Sequence, residues 1–358
     1  MGRPNLFTFA TSELSQDAFL CWMAALADHD EADLRRLGRS FIAWLWNAAK
    51  GTAIGPDEVR LKSPPRKQVE NIDILFEADV AGVPALFLIE DKTETSQHSG
   101  QLERYLESTS KRGGAVVPVY FKTGYHYGGD VAAAGAGYTV IGLKQWVEFL
   151  TAQLVLNDIL DDYRAFVSDM LAKREEALAL LSAPLGFHEF KHAFVQHEFL
   201  CMLADRCPET IGGSETKCGT NMGGSPWTQH RFVALSAALP GGVSEYIFHR
   251  IDKRQDDEGQ TAYYLSTRQY ASVKGKPEAK LAKRERLVVH RKSFVEGVRD
   301  AQTGLVFAKP AGDFKGANES EIGILFFSEG PNSTTSVLDT FPAVHRAFVE
   351  RLRQTLRV

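Results

Sequence analysis

The chain has 358 residues, 44% hydrophobic and 24% charged, the composition of a folded protein with room for two domains rather than of a disordered one. Its 41 Lys and Arg against 45 Asp and Glu leave a net charge of −4, which excludes a uniformly basic surface and restricts any nucleic-acid contact to local patches. No window reaches the roughly 18 consecutive apolar residues of a membrane span, and Cys21, Cys201, Cys207 and Cys218 are too few and too irregularly spaced for a disulfide scaffold or a zinc site.

The opening MGRPNLFTFATSELSQD has no long apolar core, so no signal peptide is expected. The myristoylation pattern also fails at Leu6. The expectation is a soluble, cytoplasmic protein that stays off the membrane. A first helix starts at Thr11 or Ser12 and carries Phe19, Leu20, Trp22, Met23 and Leu26 at helical spacing. A second spans Leu34 to Ala49 and stops at Gly51.

Three strands follow, near Asp57–Lys62, Asn71–Val80 and Pro84–Lys92. The continuous run Ala85-Leu86-Phe87-Leu88-Ile89 suits a strand buried on both faces. A helix over Ser96–Ser110, a strand over Ala115–Phe121, a short strand at Tyr138–Ile141 and a helix from Leu143 complete a mixed α/β block. The spacing then predicts a long helix over 151–182, an apolar helix near Phe187–Leu203 and a loop from Pro208 to Ser225. After these come strands near Val243–Asp252 and Thr261–Gln269, a basic helix around Lys274–Arg299, strands near Gly304–Ala308 and Ile322–Phe327, and a last helix at Phe341–Leu356. The expected division is 1–150, a connecting helix over 151–185, and an α+β region over 186–358.

The chemistry concentrates in Asn71-Ile72-Asp73-Ile74-Leu75 and Leu86-Phe87-Leu88-Ile89-Glu90-Asp91-Lys92. On adjacent strands, Glu90 and Lys92 share a face, Asp91 takes the other, and Asp73 can join the first pair. Two carboxylates at the end of a buried strand suit Mg²⁺, with Mn²⁺ as the alternative ion. Asp73 and Glu90 would be side-chain ligands, and the Asp91 carbonyl a third. Lys92 could orient water or stabilise charge on a phosphoryl oxygen. The competing reading is a surface ion pair that contributes little.

Asp73 … Glu90-Asp91-Lys92, followed by a helix bearing Gln101 and Tyr105, resembles the PD-(D/E)XK nuclease superfamily. The helix Ser12-Glu13-Leu14-Ser15-Gln16-Asp17-Ala18-Phe19 is similar to the start of one bacterial subset. The resemblance covers about residues 10–145, with Ile72-Asp73 in place of the Pro-Asp of the family's name. It implies a restriction-endonuclease-like αβββαβ core with a mixed sheet. It also implies Mg²⁺-dependent phosphodiester hydrolysis, usually in DNA, with RNA left open. Glu13 would assist metal or water positioning, Gln101 would reach toward the site, and Tyr105 would brace or contact the substrate backbone. For Gln101 and Tyr105, solvent exposure and core packing stand as alternatives.

Lys62, Arg66 and Lys67 flank Pro64–Pro65 in an expected rigid loop suited to phosphate contact. His98 has no fixed geometry, and His188, His192 and His197 lack the HExxH pattern of a zinc protease. Residues 250–310 hold 14 Lys and Arg against 8 acids. Lys280, Lys283, Arg284 and Arg286 are therefore candidates to track a phosphate backbone. Tyr263, Tyr264 and Tyr270 could stack on bases, and Gly223-Gly224-Ser225-Pro226-Trp227 could be a binding loop. The expectation is a Mg²⁺-dependent deoxyribonuclease. Its alternative is a catalytically inactive nuclease-like module that binds nucleic acid or a protein.

Overall fold

The computed structural model describes residues 4–10, 12–93, 101–110, 114–127, 130–220, 226–255, 260–310 and 318–356. The chain divides into two units, Met1–Arg174 and Glu175–Val358. The division falls within the segment read as a connector.

In the first unit, α1 (Glu13–Ala25) and α2 (Ala32–Lys50) precede β1 (Val59–Leu61), β2 (Arg66–Val69), β3 (Ile72–Val80) and β4 (Val83–Lys92). Then come α3 (Gln101–Ser110), β5 (Ala115–Lys122), α4 (Asp130–Gly135), β6 (Thr139–Gly142), α5 (Leu143–Thr151) and α6 (Asp158–Ala179), which crosses the division. The sheet order is β1-β3-β4-β5-β6, with β2 also paired to β3. Pairing is antiparallel through β4 and parallel from β4 to β6. The unit is α/β with a mixed sheet.

The residue pattern explains the layering. Side chains alternate across β3, β4 and β5. Ile74, Phe76, Phe87, Ile89 and Phe121 pack with Phe19, Leu20, Phe41, Trp146 and Tyr163 from the helices. Leu75, Leu86, Leu88 and Tyr120 pack with Leu102, Tyr105 and Tyr138 on the other face. The run Ala85–Ile89 is buried on both faces, as its apolar continuity predicts. α2 ends where expected, at Gly51, whose φ of 66° closes the helix by donating to the Asn47 carbonyl.

Several boundaries differ from the sequence reading. Arg66–Val69 is a strand, not a loop, and Gln68, Glu70 and Asn71 take positive φ to turn the chain into β3. The long helix begins at Asp158 rather than 151, leaving Leu154 and Leu156 exposed. Thr11, the alternative cap, and the 96–100 start of the third predicted helix lie outside the described residues.

The second unit holds α7 (Ala193–Arg206), β7 (Glu215–Thr220), β8 (Pro226–Leu239), β9 (Val243–Gln255), β10 (Thr261–Tyr270), α8 (Pro277–Ala301), β11 (Glu319–Phe326) and α9 (Thr334–Leu356). Its sheet runs β11-β10-β9-β8-β7, antiparallel throughout. β7 lies in the expected loop, and β8 was not expected. Bulges after Arg231 and Leu235 break the period-2 signal of β8, and its Ala-rich end has low strand propensity. Gly304–Ala308 is not a strand; only Ala308 bridges to Ile324.

Gly38 sits inside α2 where that helix crosses the turn after α1. A Cβ there would overlap backbone atoms of Leu26 and Ala27. In an unobstructed helix Gly→Ala gains about 1 kcal/mol. Here Gly38→Ala should lower stability by roughly 1–3 kcal/mol through overpacking. Thermal unfolding checks this, and a raised melting temperature would refute the close approach.

Candidate active site

β3 and β4 pair from Val80–Val83 to Ile74–Ile89, and the next step outward brings Asp73 beside Glu90. There the Asp91 N–H donates to Asp73 Oδ2 at 2.9 Å, so a side chain takes over the acceptor role at the end of the backbone ladder. β5 continues beside β4 through the pairs Glu90–Tyr120, Asp91–Phe121 and Lys92–Lys122. The strand end that carries Glu90, Asp91 and Lys92 is thus fixed from both sides. All three residues are buried, Glu90 and Asp91 completely.

Lys92 Nζ is the centre of the cluster. It lies 2.8 Å from Glu90 Oε1, 2.9 Å from Glu13 Oε1, 2.9 Å from the Asp91 carbonyl oxygen and 3.4 Å from Asp73 Oδ2. An ammonium has three N–H donors, so four oxygens must share them. Glu13 reaches the cluster from the first turn of α1, where a carboxylate also favours the helix dipole. Three carboxylates against one ammonium leave excess negative charge in a buried place. Burial, then the charge of Asp73, pushes the Glu90 carboxyl up to about 7, although Lys92 opposes the shift. Burial disfavours the Lys92 ammonium, but its bonds to Glu90 and Glu13 and the charges of Glu90 and Asp73 outweigh this and raise its pKa. Lys92 therefore remains a cation.

Asp91 points to the opposite face. Its Oδ1 accepts from Gln16 Nε2 of α1, and Gln16 Oε1 accepts from Thr123 Oγ1 at 2.6 Å. Asp17 is buried beside it, and burial and like charge disfavour ionisation of both carboxyls. Burial and then the charge of Asp73 push Asp17 up to about 6. Burial holds Asp91 well above the usual carboxylate range, with the Gln16 bond opposing and the charge of Asp17 adding to it.

Asp73, Glu90, the Asp91 carbonyl, Lys92 and Glu13 therefore come together. Gln101 opens α3, but its side chain lies outside the described residues, as does His98. Tyr105 is a brace rather than a substrate contact: it is buried, and its hydroxyl donates to the Asn71 carbonyl at 2.6 Å, holding the turn before β3. Lys62 is exposed and 3.4 Å from Asp79, while Arg66 is exposed on β2. Sequence reasoning passed over Gln16, Asp17, Thr123 and the buried Lys122. The available signal was helical spacing, since Gln16 lies three residues after Glu13 on one face of α1.

The basic helix needs a correction. Lys283 is buried and donates to Ser320 Oγ at 2.9 Å, and Arg286 holds the buried Glu245 at 2.6 Å. Lys283 is thus turned to an interior hydroxyl and Arg286 to an interior carboxylate rather than to a phosphate backbone. The outward face of α8 carries Arg284 together with exposed Leu281, Val288 and Val295, and Lys280 is half-buried. It is not a continuous basic surface. His197 is buried on α7, within hydrogen-bonding distance of Cys201, and Gly223–Ser225 lie outside the described residues.

All the atoms that converge on the Lys92 nitrogen are hard oxygens, the donor chemistry that suits Mg²⁺. Among the described residues no three His, Cys, Asp or Glu side chains form a ready-made cation cage.

Raised carboxyl pKa values make the folded chain retain protons that the unfolded chain releases near pH 4. The contribution of these two groups should therefore fall from about pH 4 upward and level off above about 6 for Asp17 and about 7 for Glu90, where both states have released the proton. The expected loss is on the order of a few kcal/mol. Asp17→Asn should flatten this slope and raise the melting temperature at pH 8. Unfolding midpoints from pH 4.5 to 8.5 test it, and parallel curves for the two proteins would refute the raised Asp17 carboxyl.

Comparison of the chain with family models, with curated proteins and with solved structures yields no match in any of the three.

Proposed function

We propose that the first unit is a metal-dependent nuclease that hydrolyses phosphodiester bonds, with DNA as the first substrate to test and RNA left open, on a fold of the PD-(D/E)XK kind. The observation that carries this reading is the convergence of Asp73 Oδ2, Glu90 Oε1 and the Asp91 carbonyl on one positive point, the Lys92 nitrogen. The order α1, β1, β3, β4, α3, β5 agrees with the family's αβββαβ core once α2 and the short β2 are set aside. The preference for DNA rests on the sequence resemblance alone.

Asp73, Glu90 and the Asp91 carbonyl would hold the Mg²⁺ or Mn²⁺. Such an ion supplies an acidified water and neutralises a phosphate. Lys92, kept protonated by its carboxylates, is unsuited to act as a base. Its N–H donors can orient water and stabilise negative charge on phosphoryl oxygens. Glu13 aims the ammonium. Gln101 is the proposed assistant from the start of α3.

A binding-only module is the second reading. It is favoured by the same ammonium, which already balances part of the carboxylate charge without a metal.

Plasmid and oligonucleotide cleavage with Mg²⁺ or Mn²⁺ decides between them. The chain should cleave, and Asp73→Ala, Glu90→Gln and Lys92→Ala should each reduce the rate at least about 100-fold, the usual scale for losing such a group. Undiminished cleavage by Asp73→Ala and Lys92→Ala would overturn the site.

Binding gives a separate measure. Millimolar Mg²⁺ should raise the melting temperature at pH 8, and Asp73→Ala should abolish the rise. A metal-insensitive melting temperature together with no cleavage would favour the binding-only module.

A further inference from the structure

The second sheet has one face packed by helices and one that is not part of that core. Ile247 and Ile251 of β9 belong to the helix-side core, and buried His249 bonds to His345 of α9 at 3.0 Å. The alternate residues Tyr246, Phe248 and Arg250 must point the other way. On that face lies a cavity of about 480 Å³ lined from all five strands: Lys217, Trp227, Gln229, Arg231, Tyr246, Phe248, Arg250, Tyr270 and Glu319.

The lining has a distinct chemistry. Phe248 is buried, whereas Trp227, Tyr246 and Tyr270 remain half-exposed, so aromatic surface is held in place and still reachable. The Tyr246 and Tyr270 rings are 6.2 Å apart and tilted by 31°. Trp227 lies against Gly219 of β7, where a Cβ would come within 2.6 Å of the indole, so the absence of a side chain there makes room for the ring. The Arg231 guanidinium lies 5.0 Å from the Tyr246 centroid, and that of Arg250 lies 5.8 Å from the Phe248 centroid. Gln229 supplies an amide among these rings, and Glu319 a carboxylate whose Oε2 already holds Arg250 at 3.2 Å and Arg268 at 3.0 Å.

We propose that this cavity binds single-stranded nucleic acid, holding one unpaired base against Trp227, Tyr246 and Tyr270. Aromatic side chains and guanidinium planes on a sheet are suited to stacking unpaired bases, and such stacking tolerates any sequence. A base edge offers donors and acceptors to match the Gln229 amide. The volume falls within the range of about 300–1,000 Å³ typical of small-ligand sites. At the rim, Lys217 lies 3.2 Å from Glu215, and Arg231 pairs with the same exposed carboxylate. A backbone phosphate would compete with Glu215 for these cations, so binding should weaken with salt. The site stands whether or not the first unit cleaves.

The test uses the full chain in EDTA, with fluorescence anisotropy of labelled dT12 and rU12 and of a 12-base-pair duplex. The expected result is binding of one or both single strands, at least 10-fold tighter than the duplex. Trp227→Ala and Tyr246→Ala should each weaken it 10-fold or more, while Tyr246→Phe should stay within about 3-fold of the parent. Lys217→Glu changes an exposed position, so it tests the site independently of core packing. It should weaken binding and reduce its salt dependence. Failure of the chain to bind either single strand would overturn the proposal. So would unchanged affinity in Trp227→Ala, Tyr246→Ala and Lys217→Glu. A duplex bound as tightly, or AMP competing at the same concentration as the oligonucleotide, would overturn the single-strand assignment. The assay is run without the metal that the nuclease reading requires, which separates this result from the fate of that reading.

Discussion

The first unit depends on how one buried ammonium is kept charged. Lys92 lies at the end of a strand whose other side chains are almost all apolar, a place where a lone cation would be costly. Four oxygens drawn from α1, β3 and β4 offset that cost. Each comes from a different structural cause: a first-turn helix acid, a side chain that extends a strand ladder, a neighbour two residues back, and a backbone carbonyl. The sheet and α1 are therefore tied together by electrostatics as well as by the shared apolar core of Phe19 and Leu20 with Phe76, Phe87 and Phe121.

The two units handle buried charge differently. In the first, carboxylates outnumber the cation, and Asp17, Glu90 and Asp91 all hold their protons above the usual carboxylate range. In the second, Glu245 is enclosed by His290, Arg286 and Gln269, and those hydrogen bonds and charges overcome its burial and hold its carboxyl down at about 2. Surrounding it with cationic and amide donors is the ordinary way to bury a carboxylate. The under-compensated cluster is the kind of arrangement associated with function. Both contain basic residues near acids, and only their surroundings distinguish them.

That contrast marks what the sequence could reveal. The apolar run Ala85–Ile89 and the alternation around Asp73 placed the cluster on adjacent strands, because a buried strand leaves its own pattern. The contact from Glu13 was also within reach, through a family resemblance and the position of that residue in a helix. Asp17 and Asp91 were not legible as a buried acidic pair, since their proximity depends on how α1 lies on the sheet. Lys283 and Arg286 were misread because composition counts charges without saying which way they point. β8 was lost because bulges interrupt its alternation and its alanines favour helix. The cavity on the second sheet needed register between five strands, information that is not local to any one of them.

The crossing at Gly38 has a consequence for the acidic end of α1. With no side chain between α2 and the turn after α1, backbone rests on backbone, and interiors packed this closely have little room to slide. Both flanking elements contribute buried residues to one core. Glu13, Gln16 and Asp17 are carried by a helix whose far end is seated against a surface with no rotamers to adjust. A flexible anchor would let those three groups drift together, blurring the distances around Lys92 and Asp91 at once. The geometry of the polar cluster at one end of α1 is thus referenced to a missing methyl group at the other.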